Sequence, residues 1–156
     1  MTIRFVPLDP DFVASVRSGG PDANGLPAEQ AVSEGEGYPC RSCLGTVPKG
    51  AGVLVLAARP FPSLQPYAEC GPVFLCSETC QPWGGEGVPP ILEGSPDYLV
   101  KGYGLDDRIV YCTGQITARD KVEGYAASLL AREDIAFVDV RSARNNCFLT
   151  RATRTG

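Results

Sequence analysis

The clearest hydrophobic pattern in the first half of the chain is an uninterrupted apolar run at residues 52–58, bounded by glycine and proline. Its length favours a strand buried on both faces over a helix, and we predict that it is a central strand. Weak alternation over residues 3–8 predicts an edge strand, and residues 11–17 predict a short helix with its apolar side chains inward. Residues 72–76 predict a further strand.

The last third of the chain has the most regular pattern. Residues 97–103 and 108–116 predict the two strands of a β-hairpin. Over residues 118–132 the apolar positions recur at i, i+3, i+4, i+7 and i+8, which is the spacing of one helical face. Residues 135–140 and 147–153 predict two more strands around a polar turn. The predicted order in this third is therefore strand, strand, helix, strand, strand.

Taken together, these elements predict the α+β class, with a mixed, mostly antiparallel sheet and one principal helix from Ala118 to Arg132. Thr117 and Asp120 occupy the positions of a helix cap and its third-position acid, which predicts where this helix begins. Prolines and glycines cluster in residues 18–27 and 81–96, and these two segments predict long loops.

Composition and charge narrow the class of protein. A chain of 156 residues, 44% of them hydrophobic, can bury one core, so we expect a single domain over residues 1–156. A proline at position 7 interrupts any secretory leader, and the longest apolar run is far shorter than the ~20 residues of a membrane span. We therefore expect a cytoplasmic protein with no membrane partner. A net charge of −4 argues against nucleic acid as a partner.

The chain contains no histidine, and this absence excludes whole classes of site. Ser-His-Asp and Cys-His catalytic arrangements and histidine metal sites cannot be built from this chain. A general base would have to be a carboxylate, a lysine, a tyrosine or a thiolate.

Seven cysteines without a secretion signal indicate reduced thiols or metal ligands rather than a disulfide framework. Cys40 and Cys43 have the CxxC spacing of a zinc knuckle, and Cys76 and Cys80 form a second, slightly wider pair. Four such thiolates would complete a tetrahedral site for a structural zinc ion. Cys70 competes as a ligand, and the alternatives to a metal are a CxxC redox pair or unligated cysteines.

The densest polar cluster lies between the last two predicted strands, at residues 141–146. Arginine forks and asparagine amides recognise carboxylate, phosphate or amide groups through directional hydrogen bonds. A further polar patch precedes the strand at residues 72–76. The candidate ligand-binding residues are Arg141, Arg144, Asn145, Asn146, Glu69 and Tyr67. The alternative is a simple turn in which the arginines only tie down the loop.

Several short motifs occur one after another along the chain, in the order in which a known family has them. They are Pro39-Cys40-Arg41, Pro60-Phe61-Pro62, Gln65-Pro66-Tyr67-Ala68-Glu69, Gly71-Pro72-Val73-Phe74, Asp107-Arg108-Ile109-Val110-Tyr111 and Arg141-Ser142-Ala143-Arg144-Asn145-Asn146-Cys147-Phe148. Over almost the whole chain they resemble the bacterial family labelled domain of unknown function 1203. The resemblance implies a self-contained bacterial domain and supplies no activity, substrate or cofactor.

The sequence supports three hypotheses about function. The first is a protein that binds a small anionic ligand or a protein partner, with a structural zinc held by cysteines. The second is a small enzyme that uses the same polar site, with Glu69, Tyr67 or Asp107 as proton carriers, and the third is a thiol redox sensor. We also expect that at least one of Arg141 and Arg144 is partly buried and directs its guanidinium into a concave site.

Overall fold

The computed structural model describes residues 2–155, which form eight strands in two antiparallel sheets together with two α-helices. This architecture confirms the α+β class. In chain order the elements are β1 (Ile3–Val6), α1 (Pro10–Arg17), β2 (Glu29–Val32), β3 (Gly52–Ala58), β4 (Gly71–Cys76), β5 (Asp97–Tyr103), β6 (Gln115–Ala118), α2 (Val122–Leu130), β7 (Phe137–Ser142) and β8 (Phe148–Arg154). Within residues 2–155, neither helix combines the length and apolar character that a membrane span requires.

The strands divide into a five-stranded sheet of order β1-β8-β7-β5-β6 and a three-stranded sheet of order β2-β3-β4. The apolar run at residues 52–58 is the middle strand of the smaller sheet, as a central strand should be. The first strand of the chain is an edge strand of the larger sheet, as its weak alternation predicts. The single sheet that the sequence predicts is divided into two, because within residues 2–155 β3 pairs only with β2 and β4.

The larger sheet has two unlike faces. On one face, apolar side chains such as Val100 and Val140 pack with the apolar face of α2 in the main core. Successive side chains of a strand point to opposite faces, so Lys101 and Tyr103 of β5 and Asp139 and Arg141 of β7 share the other face. This second face combines charged side chains with the aromatic rings of Tyr103 and Phe137, and it is directed away from α2.

Helix α1 forms where the sequence predicts a short helix. Pro10 stands at its first position, where a missing N–H costs nothing, and the Asp9 side chain accepts a hydrogen bond from the backbone N–H of Asp11 at 3.1 Å. Val13 and Val16 are buried against the smaller sheet. The helix ends at Arg17, whose side chain reaches the cysteine cluster described below.

The predicted hairpin partner of β5 is placed wrongly. The strand that pairs with β5 is Gln115–Ala118, not residues 108–116. Residues 108–114 form an irregular connection with one isolated bridge, from Tyr103 to Ile109. Cys112 adopts a φ of +70°, a conformation that a continuous strand does not allow.

The predicted helix cap is also wrong. Thr117 belongs to β6, and its hydroxyl donates to the Gln115 carbonyl instead of capping a helix. A 3₁₀ turn at Arg119–Lys121 leads into α2, which has no side-chain cap. Strand β2 was not predicted, because all four of its residues are exposed and show no alternation of apolar and polar positions.

Candidate metal centre and polar pocket

Two separate chain segments bring four cysteines together. Cys40 and Cys43 lie on a tight turn that closes through a 3.0 Å hydrogen bond from Leu44 N to the Cys40 carbonyl, with Leu44 at a φ of +55°. Cys76 is the last residue of β4, and Cys80 follows in the next turn. An isolated parallel bridge between Cys40 and Phe74 holds the first pair beside the end of β4.

The four sulfur atoms have the spacing of a metal site. All four Sγ atoms lie within 4.8 Å of one another, with Cys40 buried and the other three half-buried. Four thiolates at ~2.3 Å from one tetrahedral zinc ion are about 3.8 Å apart. The Sγ atoms of Cys40 and Cys80 are 3.8 Å apart. The arrangement therefore has the donor set and the dimensions of a four-thiolate site.

Hydrogen-bond donors surround this cluster and favour negative charge on its sulfurs. The backbone N–H groups of Ser42 and Cys76 donate to Cys40 Sγ over 3.4 and 3.3 Å. From α1, Arg17 Nη2 donates to Cys80 Sγ at 3.1 Å, while its Nε donates to the Cys76 carbonyl at 3.1 Å. Outer donors of this kind orient metal ligands and stabilise thiolates.

The thiols of the cluster compete for negative charge. A hydrogen bond from the Cys43 thiol, assisted by backbone N–H groups, lowers the pKa of Cys40 well below its ordinary value. The same hydrogen bond and burial raise the pKa of Cys43. Burial, followed by the charge on Cys40, raises the pKa of Cys76. A divalent cation among the sulfurs would remove this competition, because it stabilises every thiolate at once.

Residues 141–146, the polar cluster of the sequence, form a turn, and some of them also line a cavity. Asn146 adopts a φ of +59°, and Ser142 and Cys147 close the turn with a 2.9 Å backbone hydrogen bond. Arg141, at the end of β7, is only 4% exposed. It lines a cavity of about 180 Å³ together with Glu69 and others.

Arg141 has unused hydrogen-bonding capacity. Its Nη1 donates to the Asn146 carbonyl at 3.0 Å and lies 3.4 Å from Glu69 Oε2. Among residues 2–155, no protein acceptor forms a hydrogen bond of good geometry with its buried Nε and Nη2 atoms, and the same holds for the buried hydroxyl of Tyr103, which lies near this guanidinium. Buried polar groups are nearly always paired, so these unbonded atoms are an exception; they are closed to solvent and belong in part to a residue that lines the cavity.

The predicted ligand-binding residues do not all meet. Glu69, Asn145 and Asn146 line the cavity with Arg141. Arg144 lies outside that lining with its side chain 58% exposed, and it pairs with Asp97 at 2.8 Å. Tyr67 also lies outside, and its hydroxyl bonds to the Tyr111 hydroxyl at 2.7 Å.

Sequence reasoning missed several residues of the site. Lys101, with its side chain 11% exposed, places Nζ 3.3 Å from Glu69 Oε1. The signal was a lysine on the same face of a strand as Leu99 and Tyr103, which predicts burial. Arg41 is buried against backbone carbonyls, and burial lowers its pKa to about 10. No pattern in the sequence marks Arg17 as a neighbour of the cysteines.

A second, larger groove of about 570 Å³ shares Pro60 and Phe148 with this cavity. Its lining is mostly apolar, and its Arg151 is already paired with Asp139 at 2.7 Å. Within residues 2–155, none of the orphaned buried atoms belongs to a residue that lines this groove. The chemistry therefore points to the smaller cavity, although the groove is roomier.

Comparison with known proteins identifies a family for this chain but does not indicate an activity. No curated protein and no solved structure matches the chain. The model of a family described as a protein of unknown function, DUF1203, matches residues 37–154. That range contains the four cysteines of the cluster and every residue that lines the smaller cavity. On this match, the chain belongs to the DUF1203 family.

Proposed function

We propose that this protein binds a small ligand and that a structural zinc ion at Cys40, Cys43, Cys76 and Cys80 holds its fold. The observation that carries the proposal is the set of four Sγ atoms within 4.8 Å of one another. In the reducing cytoplasm that we propose as its location, these thiols stay available to a metal.

Zinc fits this donor set better than other common cations. Soft thiolates select zinc or iron–sulfur clusters over magnesium and calcium, which prefer oxygen ligands. Four cysteines fill a tetrahedral coordination shell and leave no open position for a substrate or a catalytic water. The ion would therefore stabilise the fold, while the ligand binds elsewhere.

The ligand-binding part of the proposal rests on Arg141. A guanidinium that is 4% exposed and keeps two N–H groups without a protein acceptor in residues 2–155 is costly unless another molecule uses it. The adjacent cavity of about 180 Å³ has room for a small molecule or a terminal group of a larger one. This combination favours ligand binding over a purely structural turn.

Elemental analysis of protein purified without added metal tests the zinc site. We expect about one zinc per chain, because four converging thiolates bind the ion tightly. Cys43→Ser should lose most of the zinc and lower the free energy of unfolding by about 3 kcal/mol or more, since the binding energy of a structural site is folding energy.

Cys112→Ser is the matched control, because Cys112 is an exposed cysteine outside the cluster. It should keep both the zinc and the stability of the original protein. Zinc far below one equivalent, together with unchanged stability in a chelator, would contradict the proposal. Reversible oxidation of Cys40 and Cys43 in metal-free protein would support the redox-sensor hypothesis instead.

A further inference from the structure

The cavity beside Arg141 carries an excess of positive charge. Arg141 and Glu69 line the cavity, and Lys101 contacts Glu69 from outside that lining; the side chains of Lys101 and Arg141 are 11% and 4% exposed. These three groups sum to one net positive charge. Buried charge without a full counter-charge is strongly unfavourable, so the site as built favours an additional anion.

Glu69 is a poor partner for the groups around it. Its oxygens lie 3.3 Å from Lys101 Nζ, 3.4 Å from Arg141 Nη1 and 3.5 Å from Asn146 Nδ2. The three other ion pairs found in residues 2–155 have distances of 2.7 or 2.8 Å. Glu69 is also 38% exposed, so its carboxylate can turn to solvent at little cost.

The orphaned atoms of Arg141 suit a planar anion. Nε and Nη2 form the edge of a guanidinium that can donate two parallel hydrogen bonds to one carboxylate. Arg151 uses this edge to bind Asp139, and Arg132 uses it to bind Asp134. In Arg141 the same two atoms have no protein acceptor within residues 2–155.

The walls of the cavity limit the size and polarity of its occupant. Ala58, Pro60, Pro72 and Phe148 contribute apolar surface, and the two asparagines contribute amide groups. A volume of about 180 Å³ suits a few heavy atoms and not a nucleotide. The apolar part of the wall favours an anion that carries an organic group over inorganic phosphate.

We propose that this cavity binds a short organic carboxylate, whose carboxylate group pairs with Arg141 and takes over from Glu69, the acid that now lies between Arg141 and Lys101. The inference deepens the ligand-binding part of the proposed function and rests on it. Glu69 then acts as an internal competitor that occupies the cations until the ligand displaces it. Removing the charge of Glu69 should therefore strengthen binding, whereas a merely structural Glu69 would have no such effect.

Calorimetric titration of the full, metal-containing chain with propanoate, at constant ionic strength, tests the proposal. We expect saturable binding in the millimolar range, as suits so few heavy atoms. Glu69→Gln should bind propanoate about tenfold more tightly, because it removes a like charge beside the ligand. Arg141→Lys should bind at least about tenfold more weakly, because lysine keeps the charge and loses the planar fork.

Arg144→Lys is the matched control, because Arg144 is exposed and lies outside the cavity lining. It should bind propanoate as the original protein does. Circular dichroism of each variant distinguishes a loss of binding from a loss of folding. If Arg141→Lys unfolds, the affinity of Glu69→Gln for propanoate still tests the proposal.

Three probes identify the class of ligand. Propanamide is the neutral counterpart of propanoate, propylammonium is the cationic one, and inorganic phosphate is the competing anion. Tighter binding of any of these would overturn the carboxylate assignment and leave ligand binding in place. Absence of saturable propanoate binding, or no gain in Glu69→Gln, would also overturn it. The zinc measurement is independent of these outcomes, so a failure of the structural-zinc proposal is recognised separately.

Discussion

The Asp139–Arg151 pair and the Glu69–Arg141 pair belong to the same region of the second face of the larger sheet, yet they are built differently. Asp139 is fully buried and accepts hydrogen bonds from Nε and Nη2 of Arg151 at 2.7 and 3.1 Å. Glu69 is half-exposed and lies 3.4 Å from Arg141, which keeps Nε and Nη2 free of protein acceptors in residues 2–155.

The two arginines differ in how completely the protein bonds them. Arg151 also donates from Nη2 to the Pro60 carbonyl at 2.7 Å and lies 3.8 Å from the centre of the Phe137 ring, so its Nε and Nη2 are both bonded and one face of its guanidinium is covered. Arg141 is more deeply buried and less completely bonded. Burial alone therefore does not predict how completely an arginine is bonded within the protein, and the unbonded donors of Arg141 are what support its proposed role in ligand binding.

Replacing the fully bonded acid should have the largest effect. Asp139→Asn is expected to lower the free energy of unfolding by about 3 kcal/mol, because it breaks a pair whose acid is fully buried and leaves the mostly buried Arg151 without its counter-charge. Urea denaturation at neutral pH measures the loss. Asp97→Asn is the control, since Asp97 and Arg144 form an exposed pair, and it should cost less than about 1 kcal/mol. Equal losses in the two variants would contradict the structural role of Asp139.

The corresponding change at the other pair should have a much smaller effect. Glu69→Gln is expected to change the free energy of unfolding by less than about 1 kcal/mol, because Glu69 is partly solvated and its contacts are long. The same urea experiment measures this change. A loss as large as that of Asp139→Asn would mean that both pairs are structural, and the comparison would fail.

The smallest effect at neutral pH is expected at Tyr103, whose hydroxyl has no protein partner in residues 2–155. Tyr103→Phe should change stability by less than about 0.5 kcal/mol. Tyr98→Phe is the control, because the Tyr98 hydroxyl accepts a hydrogen bond from Ser95 N at 3.0 Å, and its loss should cost about 1 kcal/mol.

Alkaline pH makes the Tyr103 test sharper. Burial raises the pKa of Tyr103 above its ordinary value of 10.0. The unfolded chain therefore releases this proton at lower pH than the folded protein, and stability that is complete below pH 10 falls as the pH rises further. Tyr103→Phe should lack this part of the alkaline loss. Parallel alkaline losses in both proteins would show that Tyr103 titrates normally.

Local sequence patterns predicted the strands and helices whose type is determined by their own hydrophobic periodicity. The apolar run of β3 and the helical spacing in α2 fix the type of each element, because burial on one face or both requires those patterns. Strand β6 was misplaced because Cys112 and Asp107 take positive φ values, which the apolar residues around them do not reveal. The division into two sheets depends on long-range pairing that no local pattern encodes.

The sequence predicted those site residues that lie close together along the chain, and it did not predict those that come from distant segments. Each cysteine pair is a short motif, so the sequence indicated the four-thiolate cluster directly. The charged group at the cavity instead collects Glu69, Lys101 and Arg141 from three distant segments, and two of them, Glu69 and Arg141, line the cavity. Their meeting depends on the register of β5 against β7 and on the loop before β4, and composition alone could not place them together.

The pairing of β1 with β8 constrains how this chain assembles during synthesis. Ile3 lies opposite Arg154, so one edge of the larger sheet joins segments separated by almost the whole chain. Strands β2, β3 and β4 pair in sequence order and, with the cysteines, emerge from the ribosome well before β7 and β8. The smaller sheet can therefore close early, while β1 waits as an unpaired strand until the last strand is made. Because loop closure over so many residues is slow, joining β1 to β8 is expected to be a late step of folding.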